Sequence, residues 1–388
     1  MIDSLRVLRC SHSLALVLAC TLVAACTDSE SGTKSRAIQE LEVQLREVLL
    51  LGRDDSATSE YLFGNPKFVV TDAQGRIYVA DEAVINIRVY DTSGQYVRTL
   101  GQRGRGPMEF RSFSGLAINQ DQELIALDRS NARITRFSTE GQLRSTHSRL
   151  RWATAIIRPF REGYLFLSHQ TSEIGEIDHL FRVYVPSFEE ALVTFGSTDE
   201  IIDPHSKIEA SLLTVKPGSF IFVDGGVLYA PYLYSGKLYL YAEDEGQWNQ
   251  AKQLNGVVEK KAYTKVHNPV IYENADFVVH YAGIGEGARL HNTSLGLFRL
   301  QDGRIVHFTF SEFGKERVFG LEVYDGDGQL TGYGVIEKVP LSAQGTANLF
   351  QSIVWKDERD CFYIIDRTEE PVIRVVELEY RPTDMVQS

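Results

Sequence analysis

The sequence predicts an all-β protein, a six-bladed β-propeller of four-stranded antiparallel blades, and three observations carry that prediction. A short strand motif recurs six times along the chain. Each copy follows two further runs of β-branched and aromatic residues joined by a tight turn. The last unit is one strand short, while an unclaimed strand-like segment lies just before the first.

The repeat is clearest between Ile87-Arg88-Val89-Tyr90-Asp91-Thr92-Ser93-Gly94-Gln95 and Ile134-Thr135-Arg136-Phe137-Ser138-Thr139-Glu140-Gly141-Gln142, which lie 47 residues apart. The same offset of 47 residues carries Ile77-Tyr78-Val79-Ala80-Asp81 onto Leu124-Ile125-Ala126-Leu127-Asp128, so a whole unit recurs. Phe181-Arg182-Val183-Tyr184 continues the spacing, and Leu238-Tyr239-Leu240-Tyr241, Leu321-Glu322-Val323-Tyr324 and Ile373-Arg374-Val375-Val376 complete six copies at uneven intervals.

The first run of each unit falls at residues 67–71, 115–119, 155–158, 219–223, 295–300 and 351–356. Turns such as Ala73-Gln74-Gly75, Asp224-Gly225-Gly226 and Asp302-Gly303 follow, with residues that accept a positive φ. A further turn and an outer strand, such as residues 95–100, end each unit. A four-stranded meander cannot cover both its faces alone; radial stacking around a channel covers them and shields most edges. After Ile373 the chain has no outer strand left, only Tyr380-Arg381-Pro382-Thr383 and a polar tail at 381–388. Glu40-Leu41-Glu42-Val43-Gln44-Leu45-Arg46 alternates in hydrophobicity and is expected to close the ring against the last unit, although Leu41, Leu45, Val48 and Leu49 also fit a helical face. The propeller is thus expected over residues 40–380.

The opening segment has a different character. Arg6 and Arg9 precede an apolar run of about a dozen residues, suited to a signal-peptide core and too short to span a bilayer. It ends in Leu22-Val23-Ala24-Ala25-Cys26, which resembles the lipobox of bacterial lipoproteins. That resemblance implies a signal peptide at 1–25, lipidation at Cys26 and a bilayer as partner, with several acyl chains holding the domain where one would be marginal. Thr27 is not the aspartate that marks inner-membrane retention, so the cell outer membrane is the expected address. Residues 26–39 read as a flexible tether with a reach of roughly 20 Å.

Composition narrows the classes further. Of the four cysteines, Cys10 and Cys20 leave with the signal peptide and Cys26 takes lipid, so Cys361 remains alone and no intrachain disulfide is expected. A net charge of −12 argues against a nucleic-acid partner. The 43% hydrophobic content suffices for a large core, and a monomer is expected.

The leading units, with Gly75-Arg76-Ile77-Tyr78-Val79-Ala80-Asp81, Asn86-Ile87-Arg88-Val89-Tyr90 and Asp128-Arg129-Ser130-Asn131-Ala132-Arg133-Ile134, resemble NHL-type propeller repeats. The link Gly101-Gln102-Arg103-Gly104-Arg105-Gly106-Pro107-Met108-Glu109-Phe110 is similar to the Gly-rich link of six-bladed propeller proteins from bacterial envelopes, departing at Met108, where that family has glycine. The resemblance implies a fold and an envelope location, not an activity.

Candidate site residues fall in two regions. In the link, Arg103 and Arg105 with exposed backbone N–H groups and Glu109 could meet a phosphate or carboxylate ligand, or the glycines could serve backbone packing with Phe110 as a plug. The interval from Tyr241 to Tyr324 is 83 residues, and its excess over the repeat is assigned to an insertion at about 257–291. This is expected as a loop or hairpin over the channel mouth, or as a degenerate seventh blade, and it holds His267, His280 and His291 as ligand-binding candidates. Their spacing does not suit a metal site, and no metal ligands are assigned. Asp81, Asp128 and Asp366 each end a second strand, where such a residue more often accepts backbone N–H bonds than lines a metal ring. Asp325-Gly326-Asp327-Gly328 occupies the repeat's hairpin position and lacks the later ligands of a calcium loop. Cys361 sits in an apolar strand, where a thiol is inert packing, and no catalytic residue is assigned.

Two functions stay open: a non-catalytic envelope module that binds a small molecule, glycan or envelope protein, and a lactonase-like or lyase-like enzyme with a metal in the channel. The first is favoured because the positions common to all six units are apolar or turn-forming. No cofactor is specified.

Overall fold

The computed structural model describes residues 37–52, 59–148, 156–168, 178–189, 191–203, 205–258, 261–267, 278–281, 286–314, 316–340, 353–367 and 370–383. The signal segment, Cys26 and most of the tether lie outside these residues, as does the end of the polar tail.

Six four-stranded blades form in chain order. Blade 1 comprises Pro66–Thr71, Ile77–Asp81, Asn86–Tyr90 and Tyr96–Leu100. Blade 2 comprises Phe113–Ile118, Glu123–Asp128, Arg133–Ser138 and Leu143–Ser148. Blade 3 comprises Ile156–Phe160, Gly163–Leu167, His179–Tyr184 and Ala191–Ser197. Blade 4 comprises Ser219–Val223, Gly226–Ala230, Lys237–Asp244 and Gln247–Asn255. Blade 5 comprises Asn292–Arg299, Ile305–Phe313, Glu316–Tyr324 and Leu330–Pro340. Blade 6 takes Ile353–Lys356, Cys361–Asp366 and Val372–Pro382 from the C-terminus and Gln39–Leu51 from the N-terminus.

The closing strand is longer than the sequence suggested. It runs antiparallel to Val372–Pro382, with Leu45 opposite Leu378, and its first residues also pair in parallel with Leu330–Pro340 of blade 5. Blades 5 and 6 therefore merge into one eight-stranded sheet. Leu41 and Val43 lie over Gly332 and Gly334, where a β-carbon would stand 2.7 and 2.2 Å from those side chains. The two glycines let the closing strand approach the outer edge of blade 5.

The blades hold together through apolar faces. Phe308 of blade 5 meets Phe298 and Phe319 of its own blade at centroid distances of 6.3 and 6.0 Å and Phe362 of blade 6 at 5.2 Å. Each ring fully buried in this way contributes about 1.5–3 kcal/mol. Hairpin turns repeat as the sequence implies: Asp91 Oδ1 accepts the N–H groups of Ser93 and Gln95 at 2.9 Å, and Asp325 Oδ1 accepts those of Asp327 and Gln329 at 3.1 and 2.8 Å.

Two features depart from the expected plan. The described part of the insertion is a three-stranded sheet, in place of the single hairpin or four-stranded seventh blade expected. Tyr263–His267, Glu286–Leu290 and Val278–Tyr281 form a separate three-stranded sheet with the last strand in the middle, an order that a sequential meander does not produce. Its Ala288 and Leu290 pack on Ile208 and Leu212 of a helix at Lys207–Val215 between blades 3 and 4. That helix, capped by Ser206 accepting from the Glu209 N–H, was not anticipated. Among the described residues no helix is long and apolar enough to cross a membrane.

Candidate functional site

The inner strands of all six blades converge on a central channel with a cavity volume of about 350 Å³. Blade 1 supplies Lys67 and Phe68, blade 2 Phe113 and Leu116, blade 3 Ile156 and Arg158. Blade 4 supplies Ser219 and Phe220, blade 5 Ser294, Leu295 and Phe298, and blade 6 Ile353 and Trp355. The segment after the helix adds Lys216, and the segment after the second strand of blade 4 adds Tyr232. Among the described residues the lining thus holds three cations and six aromatic rings but no carboxylate and no imidazole. Such a donor set does not fit a divalent ion, whose ligands are oxygen anions or imidazoles. Among the described residues no group of three or more His, Cys, Asp and Glu side chains is placed to hold a metal.

The inner strands of blades 1, 2, 5 and 6 each carry a register shift, at Pro66/Phe68, Phe113/Gly115, Ser294/Gly296 and Ile353/Trp355. A bulge of this kind re-aims the side chains around it, and here it lies where the strand borders the channel. Trp355 is held by its indole N–H, which donates to Thr71 Oγ1 at 2.9 Å.

Arg158 reaches across from blade 3 and stacks its guanidinium 4.7 Å from the Trp355 ring centroid in the opposite blade. Its other contact is a 3.2 Å bond from Nη1 to the carbonyl of its neighbour Ile157. No acidic group perturbs it; burial alone pushes the guanidinium down to about 10, which leaves it cationic at neutral pH. The side chain is surrounded by protein yet only half-buried from water, because it faces the channel. Lys216 sits at the edge, its ammonium 4.8 Å from the Tyr232 ring centroid. Lys67 is 3.5 Å from Glu82, whose carboxylate also accepts from Ser112 Oγ and the Phe113 N–H. Ser219 Oγ is buried in the lining without a hydrogen-bond partner.

Behind Ser294 runs a buried polar chain. Ser294 Oγ is 2.9 Å from His307 Nε2, and His307 Nδ1 is 2.9 Å from Glu322 Oε2. Glu322 also accepts from the hydroxyls of Tyr234 and Tyr324 at 2.7 and 2.8 Å and from the Val257 N–H at 2.7 Å. Burial works to raise this carboxyl, but the His307 hydrogen bond and charge, with Tyr234 and Val257, outweigh it and hold it below the usual carboxylate range. An ionised carboxylate only accepts, so Nδ1 carries a proton toward Glu322, and Nε2 accepts the Ser294 hydroxyl proton whenever the ring is neutral.

The residues singled out from sequence are placed elsewhere. Arg103, Arg105 and Glu109 lie on a link whose ends Gln102–Arg103 and Glu109–Phe110 pair in parallel between blades 1 and 2, away from the channel lining. The place for an anion in this loop is filled from within: the Glu109 carboxylate accepts the Gly106 N–H at 2.7 Å and Gln102 Nε2 at 2.9 Å. Phe110 is fully buried, 5.0 Å from Phe113, and Met108 takes a φ of 59°, the left-handed region that the family glycine at this position suits. His267 ends its strand opposite Glu286, and His280 is opposite Gly287, on the two sides of the same central strand. His291 is bound to Glu312 through Nδ1 at 2.8 Å and to Thr264 through Nε2. His291 is not among the residues that line the channel.

Asp81 accepts the N–H groups of Gly64, Asn65 and Ala83 at 2.9 to 3.0 Å, and Asp128 those of Arg111, Ser112 and Asn131 at 3.0 to 3.2 Å. Asp366 pairs with Arg374 at 2.8 Å. Cys361 is a buried free thiol raised by burial. Arg158, Lys216, Trp355, Ser294, His307 and Glu322 were not singled out from sequence. The available signal was the alternation of His307, Thr309 and Ser311 with Val306, Phe308 and Phe310 in a strand that a propeller buries on both faces.

The fold and channel together define a class, the six-bladed propeller with a closed ring. The chain belongs to the 6-bladed beta-propeller family DUF5128, whose model matches residues 56–261. No curated protein matches it. Among solved structures it is similar to a DUF4221-family protein of Bacteroides vulgatus, at 12% identity and a TM-score of 0.56, over 89% of this chain and all of that one. A candidate exported protein of Bacteroides fragilis matches at 14% identity and a TM-score of 0.52, over 89% of this chain and 98% of that one. A virginiamycin B lyase of Staphylococcus aureus matches at 9% identity and a TM-score of 0.41, over 87% of this chain and 99% of that one. These likenesses concern the fold.

Proposed function

We propose that this protein is a lipid-anchored binding module of the bacterial cell envelope whose site is the central channel, and that its ligand is a small organic anion with an aromatic or apolar body. The observation that carries the reading is the channel lining, with Arg158, Lys67 and Lys216 among six aromatic rings and no acidic residue among the described residues. A cavity of about 350 Å³ suits a small molecule, at the low end of ordinary ligand pockets. Arg158, stacked on Trp355 and with no acidic partner among the described residues, supplies a fork for a carboxylate, phosphate or sulfonate. The apolar walls strengthen that charge-assisted bond by excluding water. The address rests on the opening segment and Cys26, with the resulting protein held to the outer membrane by its acyl chains.

The test is calorimetric titration of the purified protein with naphthalene-2-carboxylate and with its neutral amide, naphthalene-2-carboxamide. The carboxylate is expected to bind at least tenfold tighter, and Arg158→Gln to remove that preference. Equal affinity for the two probes, or none for either, would reject the ligand class. For the anchor, radiolabelled palmitate is expected on the wild-type chain in cells and absent from Cys26→Ala.

A further inference from the structure

The chain from the channel through Ser294, His307 and Glu322 has the order hydroxyl, imidazole, carboxylate, and the other blades do not repeat it. The bulge defines equivalent positions, because Ser294, Phe113, Pro66 and Ile353 each form the last pair before the shift. By the same registers, His307 corresponds to Ala126, Val79 and Phe362, and Glu322 to Thr135, Arg88 and Val376. A hydrogen-bonded set required by the blade frame would recur around the ring. This set stands in blade 5 alone of the four bulged blades, and Ser294 is one of the residues that line the channel.

We propose that Ser294 is a nucleophile for acyl transfer, with His307 as its general base and Glu322 as the positioning residue, and that the channel takes an ester. The inference goes beyond the binding reading and rests on it only for delivery of the ester to the channel. The geometry meets the requirement of such a site, a nucleophile and a base within hydrogen-bond reach and a third group that orients the base, here at 2.9 Å for both links. Tyr234 packs edge-on against the imidazole at a 4.6 Å centroid distance and with Glu322 leaves it one orientation. The Ser294 N–H donates to the Tyr232 carbonyl at 3.0 Å, and the Tyr232 ring carries Lys216, so a cation is tied to the strand of the nucleophile.

In the first step Ser294 Oγ bonds to the ester carbonyl carbon while its proton passes to His307 Nε2, and the carbonyl π pair moves onto oxygen. Collapse re-forms the carbonyl and breaks the bond to the alcohol oxygen, which leaves with the proton from Nε2. Water then attacks the acyl-serine, its proton passing to Nε2 and on to Ser294 Oγ, to release the acid. Ester and water are consumed, and acid and alcohol are produced.

The experiment is labelling of the full chain with a neutral alkyl fluorophosphonate, read by peptide mass spectrometry, beside hydrolysis of p-nitrophenyl butyrate. Wild-type protein is expected to carry one adduct, on Ser294, and Ser294→Ala to carry none. His307→Gln is expected to slow labelling and hydrolysis about 100-fold or more, the usual range for loss of a general base. Melting curves check that each variant is folded. A wild-type protein that melts cooperatively and acquires no adduct on Ser294 overturns the proposal without reliance on any variant, and so does folded His307→Gln labelled at the wild-type rate. The probe is neutral and does not call on Arg158. Naphthalene-2-carboxylate binding without an adduct therefore rejects the nucleophile and leaves the binding reading, and an adduct without carboxylate binding does the reverse.

Discussion

Counted from the inner-strand bulge, the equivalent positions hold Phe113, Ala126 and Thr135 in blade 2 and Ser294, His307 and Glu322 in blade 5. The backbone frame is shared and the chemistry is opposite. Blade 2 buries Leu124, Ala126 and Phe137 toward blade 1 and Ile125 and Leu127 toward blade 3. Blade 5 keeps an apolar face of Val306, Phe308 and Phe310 toward blade 6 and turns His307 and Glu322 toward Tyr234 of blade 4. A propeller blade therefore does not need two apolar faces. A face can instead bury a charged group that is satisfied, and Glu322 with four donors meets that condition.

The widest effect is expected where the closing strand meets blade 5. Blade 2 is completed by its own four strands, while blades 5 and 6 share Gln39–Leu51. Deleting residues 41–48 is expected to abolish cooperative unfolding of the whole domain, and an unchanged melting temperature would show that the segment is dispensable.

Next comes the paired comparison at equivalent sites. Glu322→Ala strands His307 and two tyrosine hydroxyls in a dry interface and is expected to cost about 3–5 kcal/mol in urea unfolding. Thr135→Val in blade 2 is expected to fall within about 1 kcal/mol of wild type, because Thr135 Oγ1 is buried without a hydrogen-bond partner. Similar losses at both sites would erase the distinction between the blades.

Acid sharpens the same contrast. The Glu322 carboxyl is lowered in the fold, so its contribution is complete above the ordinary carboxylate range and is lost as pH falls through the lower folded value. The groups facing it are His307, Tyr234, Tyr324 and the Val257 N–H. Glu322→Gln is expected to flatten the acid limb of the stability curve, and Thr135→Val to leave it unaltered. An acid limb of equal slope in the two variants would assign the acid sensitivity elsewhere.

The smallest effect is expected at Met108, in the link that leads into blade 2. Met108→Gly relieves a left-handed residue but gives up contacts with the core beside blades 1 and 2, so the net change is expected to stay under about 1 kcal/mol. A loss above about 2 kcal/mol would show that packing outweighs strain there.

Much of the frame could be read from the chain because it is local. The 47-residue spacing of Tyr90 and Phe137 reports strand and turn lengths, which neighbouring residues set. The closing strand was legible because Glu40 to Arg46 alternates and the last unit lacked a partner. The helix Lys207–Val215 was missed because it lies in a link with no repeat to betray it. The link arginines and insertion histidines were conspicuous by composition, yet Glu109 and Glu312 supply partners for Gly106 and His291 from within the fold.

The sequence by itself determined the number of blades, their turns and the segment that closes the ring, since each depends on periodicity and turn chemistry within a few tens of residues. Tertiary structure alone decided the site. Arg158 and Trp355 stand in opposite blades, and Ser294, His307 and Glu322 meet only when three strands of blade 5 pair in register. His307, Thr309 and Ser311 alternate like a solvent-facing row, yet all three are buried, His307 against Tyr234 of blade 4. Alternation records which residues share a face, and only the packed ring records what that face meets.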